Sequence, residues 1–208
     1  MRERLWTISN GLSILRLFLV VPMVFFLVSE TPTSKYYAVG IIVVAILTDL
    51  ADGFIARKLN QVTEFGKIID PLADKILAAA ALFSFASLHL VDAWMVWIVV
   101  GRDFLITGLR SYAEWKDQPI VTSKTAQAKT FGEFVVIYYI LILSVAQDVP
   151  VIQRDFGAWI ETMMHPKVLF GMMLLVTIST IGTGLMYLFD NRKFISTIYS
   201  TSPPASHE

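Results

Sequence analysis

Six runs of about 20 mostly apolar residues recur along the chain, at roughly 12–28, 36–56, 68–88, 93–112, 131–146 and 168–189. A helix of 20 residues rises about 30 Å, the thickness of a bilayer's hydrocarbon core, so each run predicts a transmembrane helix. Breakers separate them. The stretch 60–63 reads as a tight turn between the second and third helices, and Thr31-Pro32-Thr33 and Val149-Pro150 read as loops on the other side. The first run follows a basic start but contains Arg16 and lacks a small-residue cleavage pattern after Val28, so it reads as a retained helix and not as a cleaved signal.

Composition agrees with this pattern. The chain is 55% hydrophobic with a mean hydropathy of +0.63, too apolar for a water-soluble domain. The expected fold is therefore all-α, one integral membrane bundle of six helices over 1–199, followed by a polar, Pro-rich disordered tail at 200–208. The absence of cysteine excludes disulfides, thiolate metal sites and cysteine catalysis. His89, His165 and His207 are scattered, so no histidine metal site is expected, and most tryptophans lie near span ends as belt residues.

Net charge is zero, yet the basic residues are unevenly placed. One side would carry Arg2, Arg4, Arg57, Lys58, Lys116, Lys124, Arg192 and Lys193, the other only Lys35, Arg154 and Lys167. The positive-inside rule then puts both termini in the cytoplasm. With no transit peptide evident, the membrane is expected to be a bacterial inner (plasma) membrane. With that topology Asn10, Ser13, Arg16, Asp49 to Arg57, Gly66 to Lys75, Arg110, Lys129 and Glu133 fall in cytoplasmic halves, with Arg102 near mid-span. The outer halves are almost wholly apolar. A polar cavity open to the cytoplasm and closed outward accommodates these charges.

The densest chemistry lies in 49–74, which reads D-x2-D-G-x2-A-R-x8-G-x3-D-x3-D. Asp49, Asp52, Gly53, Ala56 and Arg57 form one stripe of the second helix, and Gly66, Asp70 and Asp74 one stripe of the third. A short turn joins these helices, so the four aspartates are expected to face each other across an antiparallel seam. An ionised side chain at bilayer centre costs roughly 2.5 to 3.5 kcal/mol, so four carboxylates need compensation. Oxygen-only ligands suit a hard cation such as Mg2+ or Mn2+, and their charge suffices for two ions. Two such metals would bind a diphosphate, which predicts phosphoryl-type transfer. Gly53, Ala56 and Gly66 could serve only close helix packing. Sharing a stripe with the aspartates, they would also leave room for a flat ligand group, and Arg57 at the mouth could bind phosphate or anchor the interface.

This run resembles, without gap or substitution, the signature of the CDP-alcohol phosphatidyltransferase family. The resemblance implies a six-helix membrane enzyme, usually a homodimer, that displaces CMP from a CDP-linked lipid by the hydroxyl of a second alcohol. It implies that Asp49, Asp52 and Asp70 hold one metal, that Asp49, Asp70 and Asp74 hold the other, and that Asp74 is the general base. Asp52, Gly53, Ala56, Arg57 and Gly66 would line the CDP site. Residues 8–16, Gly101-Arg102-Asp103, Leu109-Arg110 and 121–130 resemble the branch that makes phosphatidylglycerophosphate, although Ala126-Gln127-Ala128-Lys129-Thr130 lacks one of that branch's two lysines.

An anionic acceptor is also suggested by the residues themselves. Arg102 and Arg110 are eight apart, hence on one helix face, and Lys129 enters from the next helix. Arg offers a bidentate fork and Lys a point charge to a phosphate. The competing reading is that these cations neutralise Asp103, Glu133 or the aspartates. The expected substrates are CDP-diacylglycerol and glycerol 3-phosphate, with membrane lipid and a second subunit as partners and no nucleic acid. Other acceptors, such as inositol phosphate, serine or phosphatidylglycerol, are the nearest alternative. An ion transporter is the rival from another class, disfavoured because transport would need polar residues through the full membrane depth.

Overall fold

The computed structural model describes residues 7–29, 31–59, 63–115 and 124–192. Among these the chain forms seven α-helices and no strand: α1 (Ile8–Val28), α2 (Pro32–Leu59), α3 (Glu64–Ser87), α4 (Ala93–Trp115), α5 (Lys124–Ala146), α6 (Pro150–Met163) and α7 (Pro166–Asp190). Six of them cover the six apolar runs. By length and composition three are apolar enough to cross a membrane, over Asn10–Val28, Gln127–Ala146 and Pro166–Asp190. Helices α2, α3 and α4 are of similar length, at 28, 24 and 23 residues, but concentrate charge toward one end. The expected disordered tail and the 60–62 part of the turn lie outside the described residues.

Two breaker readings change. Pro32 opens α2 and Pro150 opens α6, because a first-turn proline lacks only an N–H that has no intrahelical acceptor there. Helix α6 is an addition: 14 residues were expected to be outer loop. It is too short to cross a bilayer.

The six long helices close into a ring in the order α1, α2, α5, α7, α4, α3, and an α3–α5 contact divides that ring into two four-helix compartments. This corrects the expected seam. Among the described residues α2 and α3 do not pack extensively on each other; α1 is their shared neighbour, and α5 faces both. Along the axis the partition is by polarity. One half holds the apolar core, with Met23, Leu27, Leu82, Phe85, Met95, Val96 and Ile140 at or below 1% exposure. The other half holds buried Asn10, Ser13, Arg16, Asp103, Lys129 and Glu133. The outer surface of the bundle is apolar, with Phe18, Val21, Phe25, Leu47, Trp97, Ile142 and Leu175 each more than half exposed. In water, apolar surface of that extent would drive association.

Candidate active site

The first compartment is assembled by α1. Its residues Asn10, Ser13 and Arg16 recur every three positions and meet successive turns of α3. At the top, Thr63 caps α3 by accepting from the Gly66 N–H at 2.9 Å and meets the Asn10 side-chain amide at 3.1 Å. Gly66 is needed there for space. A Cβ would lie 2.8 Å from Asn10 Oδ1 and 3.0 Å from Thr63 Oγ1, too close for an ordinary contact. One turn on, the Ser13 hydroxyl donates to Asp70. Deeper still, the guanidinium of Arg16 spans the compartment, donating through Nη1 to Asp74 of α3 and pairing through Nη2 with Asp49 of α2 at 2.8 Å.

Burial is lopsided across these pairs. The Arg16 side chain is 1% exposed, whereas Asp49 and Asp74 keep 47% and 40% of theirs open. Each carboxylate therefore spends one edge on Arg16 and turns the other to a cavity of about 310 Å³. The cavity's remaining wall is apolar, from Ala45 and Ile46 of α2, Leu77 of α3, and Phe131, Phe134, Val135 and Tyr138 of α5. A charged rim on an apolar slot suits a ligand with an anionic head and a hydrocarbon body. Among the described residues no three acidic groups converge tightly enough to form a metal cluster by themselves. The side chains of Asp52, Gly53, Ala56 and Arg57 lie outside the described residues, so their expected roles are neither placed nor excluded. The carboxylates of Asp49 and Asp74 are hard oxygen ligands of the kind that Mg2+ or Mn2+ prefers, both already paired with Arg16, while Asp70 lies one turn away, bonded to Ser13.

The second compartment lies on the far side of the α3–α5 wall. Asp74 faces the first cavity, while the next residue, Lys75, turns about 100° to face the second. Asp103 of α4, 3% exposed, accepts from Lys75 at 2.6 Å, Lys129 at 2.7 Å and Arg102 at 3.0 Å. Lys129, with a fully buried side chain, also pairs with Glu133 at 2.8 Å. Arg102 reaches on to Thr183 of α7 at 3.1 Å, packed over Gly184, where a Cβ would stand 3.2 Å from its Cγ. Beside this network lies a cavity of about 320 Å³ lined by Lys75, Arg102, Asp103, Thr107, Arg110, Gln127, Thr130 and Tyr187. The buried Tyr187 hydroxyl has no hydrogen-bond partner among the described residues.

The structure thus brings Asp49 and Asp74 together on one cavity, with Asp70 one turn away along α3 and not among its lining residues, and puts Arg102 and Arg110 on another. Lys129 is held between Asp103 and Glu133 and does not line the cavity shared by the two arginines. From the sequence, Arg16, Ser13 and Asn10 are polar residues of a cytoplasmic half within a segment of family resemblance, with no partner assigned. Their pairing with individual aspartates emerges from the fold, as does the contribution of Tyr187, whereas the pairing of Arg102 and Lys129 with Asp103, and of Lys129 with Glu133, is the competing charge-neutralising reading. A charge within an apolar run signals that a partner must exist, without saying which.

Comparison with known proteins gives the lineage. A Bacillus subtilis protein named CDP-diacylglycerol--glycerol-3-phosphate 3-phosphatidyltransferase is 38% identical over 111 residues, 53% of this chain and 58% of that relative. One of the same name from Cereibacter sphaeroides is 30% identical over 159 residues, 74% of this chain and 72% of the relative. A human protein named cardiolipin synthase (CMP-forming) is 36% identical over 118 residues, 56% of this chain and 38% of the relative. The chain therefore spans less than two thirds of the length of the B. subtilis relative that it matches. The model for CDP-alcohol phosphatidyltransferases matches residues 6–188, covering both compartments and all of the aspartate run, and on that match the chain belongs to the CDP-alcohol phosphatidyltransferase family.

Proposed function

We propose that this chain transfers the phosphatidyl group of CDP-diacylglycerol to glycerol 3-phosphate, giving phosphatidylglycerophosphate and CMP. The observation that carries the reading is the paired compartments on one wall: a carboxylate-rimmed apolar cavity around Arg16, Asp49 and Asp74, and a cationic cavity around Lys75, Arg102 and Arg110. The names of the bacterial relatives support the same donor and acceptor. In this reading the six long helices all cross the membrane, forming one domain over 1–199, with both termini cytoplasmic and the polar half opening to the cytoplasm. The membrane is the bacterial inner membrane. The enzyme works as a homodimer, as the family resemblance implies.

The donor's acyl chains remain in lipid, and its head enters the first cavity. Asp49, Asp52, Asp70 and Asp74 would hold two divalent cations, Mg2+ or Mn2+, while Asp52, Gly53, Ala56, Arg57 and Gly66 would border the CDP group. Bound there, such ions supply charge neutralisation and Lewis-acid polarisation of the diphosphate. Arg16 keeps Asp49 and Asp74 at a fixed separation, and Ser13 orients Asp70. In the second cavity Arg102 and Arg110 face the acceptor phosphate, and Tyr187 offers a hydroxyl that has no hydrogen-bond partner among the described residues. Lys129 contributes through Asp103, which it holds in place beside Arg102. Asp74 accepts the proton of the attacking hydroxyl. That oxygen bonds to the β-phosphorus as the bond from β-phosphorus to the bridging oxygen breaks, and CMP leaves with the electron pair.

The test is CMP release by purified protein given CDP-diacylglycerol and a panel of head-group alcohols. Glycerol 3-phosphate is expected to be the best acceptor, and Asp70→Asn to abolish turnover. CMP release without any alcohol dependence, or full activity in Asp70→Asn, would overturn the proposal. The cardiolipin synthase names among the relatives favour one alternative, transfer to phosphatidylglycerol, and the same panel distinguishes it.

A further inference from the structure

Helix α6 joins the end of α5 to the start of α7, and both of those helices are long and apolar enough to cross a membrane. It therefore sits where two spans leave the bilayer, at the end of the bundle opposite the aspartates. At 14 residues it is about 21 Å long. Its sequence is amphipathic: Ile152, Phe156, Trp159, Ile160 and Met163 fall at i, i+4, i+7, i+8 and i+11, one continuous stripe. Burial of one member of the stripe fixes the helix's rotation, and a backbone bond ties its end to α5. Ile160 is 2% exposed against the bundle, and the Met163 carbonyl accepts from the Tyr139 hydroxyl of α5 at 2.9 Å. The rest of the stripe is left open, with Phe156 at 60% and Trp159 at 56% exposure. Arg154 and Asp155 pair with each other outside the stripe, 80% and 48% exposed.

We infer that α6 is an interfacial helix whose Ile152, Phe156 and Trp159 edge inserts into the head-group boundary of the leaflet opposite the active site. This rests on the membrane-spanning reading proposed above. The occupant of the exposed edge is lipid because α6 joins the ends of two span-capable helices whose own outer faces are apolar, with Ile142 of α5 and Leu175 of α7 63% and 68% exposed. Attachment is by apolar area and not by charge, since α6 carries Asp155 and Glu161 against only Arg154. Tryptophan and phenylalanine at that depth match the preference of large aromatic rings for the boundary between hydrocarbon and water. Anchored there, α6 sets how deep the α5 and α7 ends that it joins sit in that leaflet.

The chain contains no cysteine, so single spin labels can be placed without background. Full-length Phe156→Cys, Arg154→Cys and Leu175→Cys proteins are labelled in phosphatidylcholine–phosphatidylglycerol liposomes, and collisions with oxygen and with a water-soluble nickel chelate are measured. The expected result is a several-fold higher oxygen-to-nickel ratio at Phe156 than at Arg154, with the highest ratio at Leu175. Equal nickel access at Phe156 and Arg154 would place the stripe in water and overturn the inference. An immobilised Phe156 label shielded from both reagents would mean that protein covers the face, and would overturn it too. High nickel access at Leu175 would instead sink the membrane-spanning reading itself.

Discussion

Replacing Lys129 by Met removes an ammonium whose side chain is fully buried and which bonds two carboxylates, Asp103 at 2.7 Å and Glu133 at 2.8 Å. The two acids are not equally dependent on it. Asp103 retains Lys75 at 2.6 Å and Arg102 at 3.0 Å, whereas the nearest remaining cation to Glu133 is Lys75 at 4.0 Å. Glu133, with a side chain 4% exposed, is left as a charge largely without a partner inside the bundle. Removing one member of a buried ion pair costs about 3 to 5 kcal/mol. In a chain of this size each kcal/mol moves the melting temperature by about 2 to 4 °C, so Lys129→Met should lower Tm by roughly 6 to 20 °C. Adding Glu133→Leu removes the orphan and should recover most of that loss, because an apolar replacement of both partners is close to neutral. Thermal unfolding of both variants in detergent, followed by size-exclusion fluorescence, reads the effect. If Lys129→Met keeps the parental Tm but raises the KM for glycerol 3-phosphate, the lysine serves the acceptor directly and its role as a buried strut is refuted.

Further outcomes are expected. Arg110→Gln removes a charged hydrogen-bond donor from the acceptor cavity, worth about 1.5 to 3 kcal/mol, and should raise the acceptor KM about ten- to hundredfold with the donor KM unchanged; Tyr187→Phe, losing a neutral bond of about 0.5 to 1.5 kcal/mol, should raise it about two- to tenfold. Gly66→Ala puts a Cβ 2.8 Å from Asn10 Oδ1 and should lower Tm, while the Asn10→Ala/Gly66→Ala pair should be more stable than the two losses added together, because the nearer of the two obstructing atoms is gone. Chelation by EDTA should stop CMP release, with activity restored by Mg2+ or Mn2+; undiminished activity in EDTA would remove the aspartate run from the chemistry.

How far these features could be read from the chain depends on what each one needed. The six long helices follow from runs whose length matches a bilayer, and the aspartate stripes follow from spacing, which needs no partner. Helix α6 escaped because its alternation of Phe156 and Trp159 with Arg154, Asp155 and Glu161 lowers mean hydropathy below that of a span. Its stripe was present all the same, behind a proline read as a breaker. Proline ends one helix and starts another with equal ease, so the residues that follow it decide which.

The ion pairs needed more than spacing. Arg16 lies eight residues into α1, Asp49 ten before the end of α2, Asp74 ten into α3, Asp103 twelve before the end of α4, and Glu133 nine into α5. At 1.5 Å per residue all five share a depth to within about 6 Å, if the helix ends lie level. Depth therefore offers Arg16 four acidic partners and prefers none. The ring order removes the ambiguity: α1 packs extensively on α2 and α3 but not on α4 or α5, so Arg16 can reach Asp49 and Asp74, while Asp103 and Glu133 fall to Lys75, Arg102 and Lys129 across the dividing wall. The same order separates the two cavities. Because α3 and α5 form the shared wall, consecutive residues serve opposite sides, Asp74 one cavity and Lys75 the other, Phe131 one and Thr130 the other. In the proposed reading a donor head and an acceptor phosphate are thereby held by different charges, one set on each face of that wall.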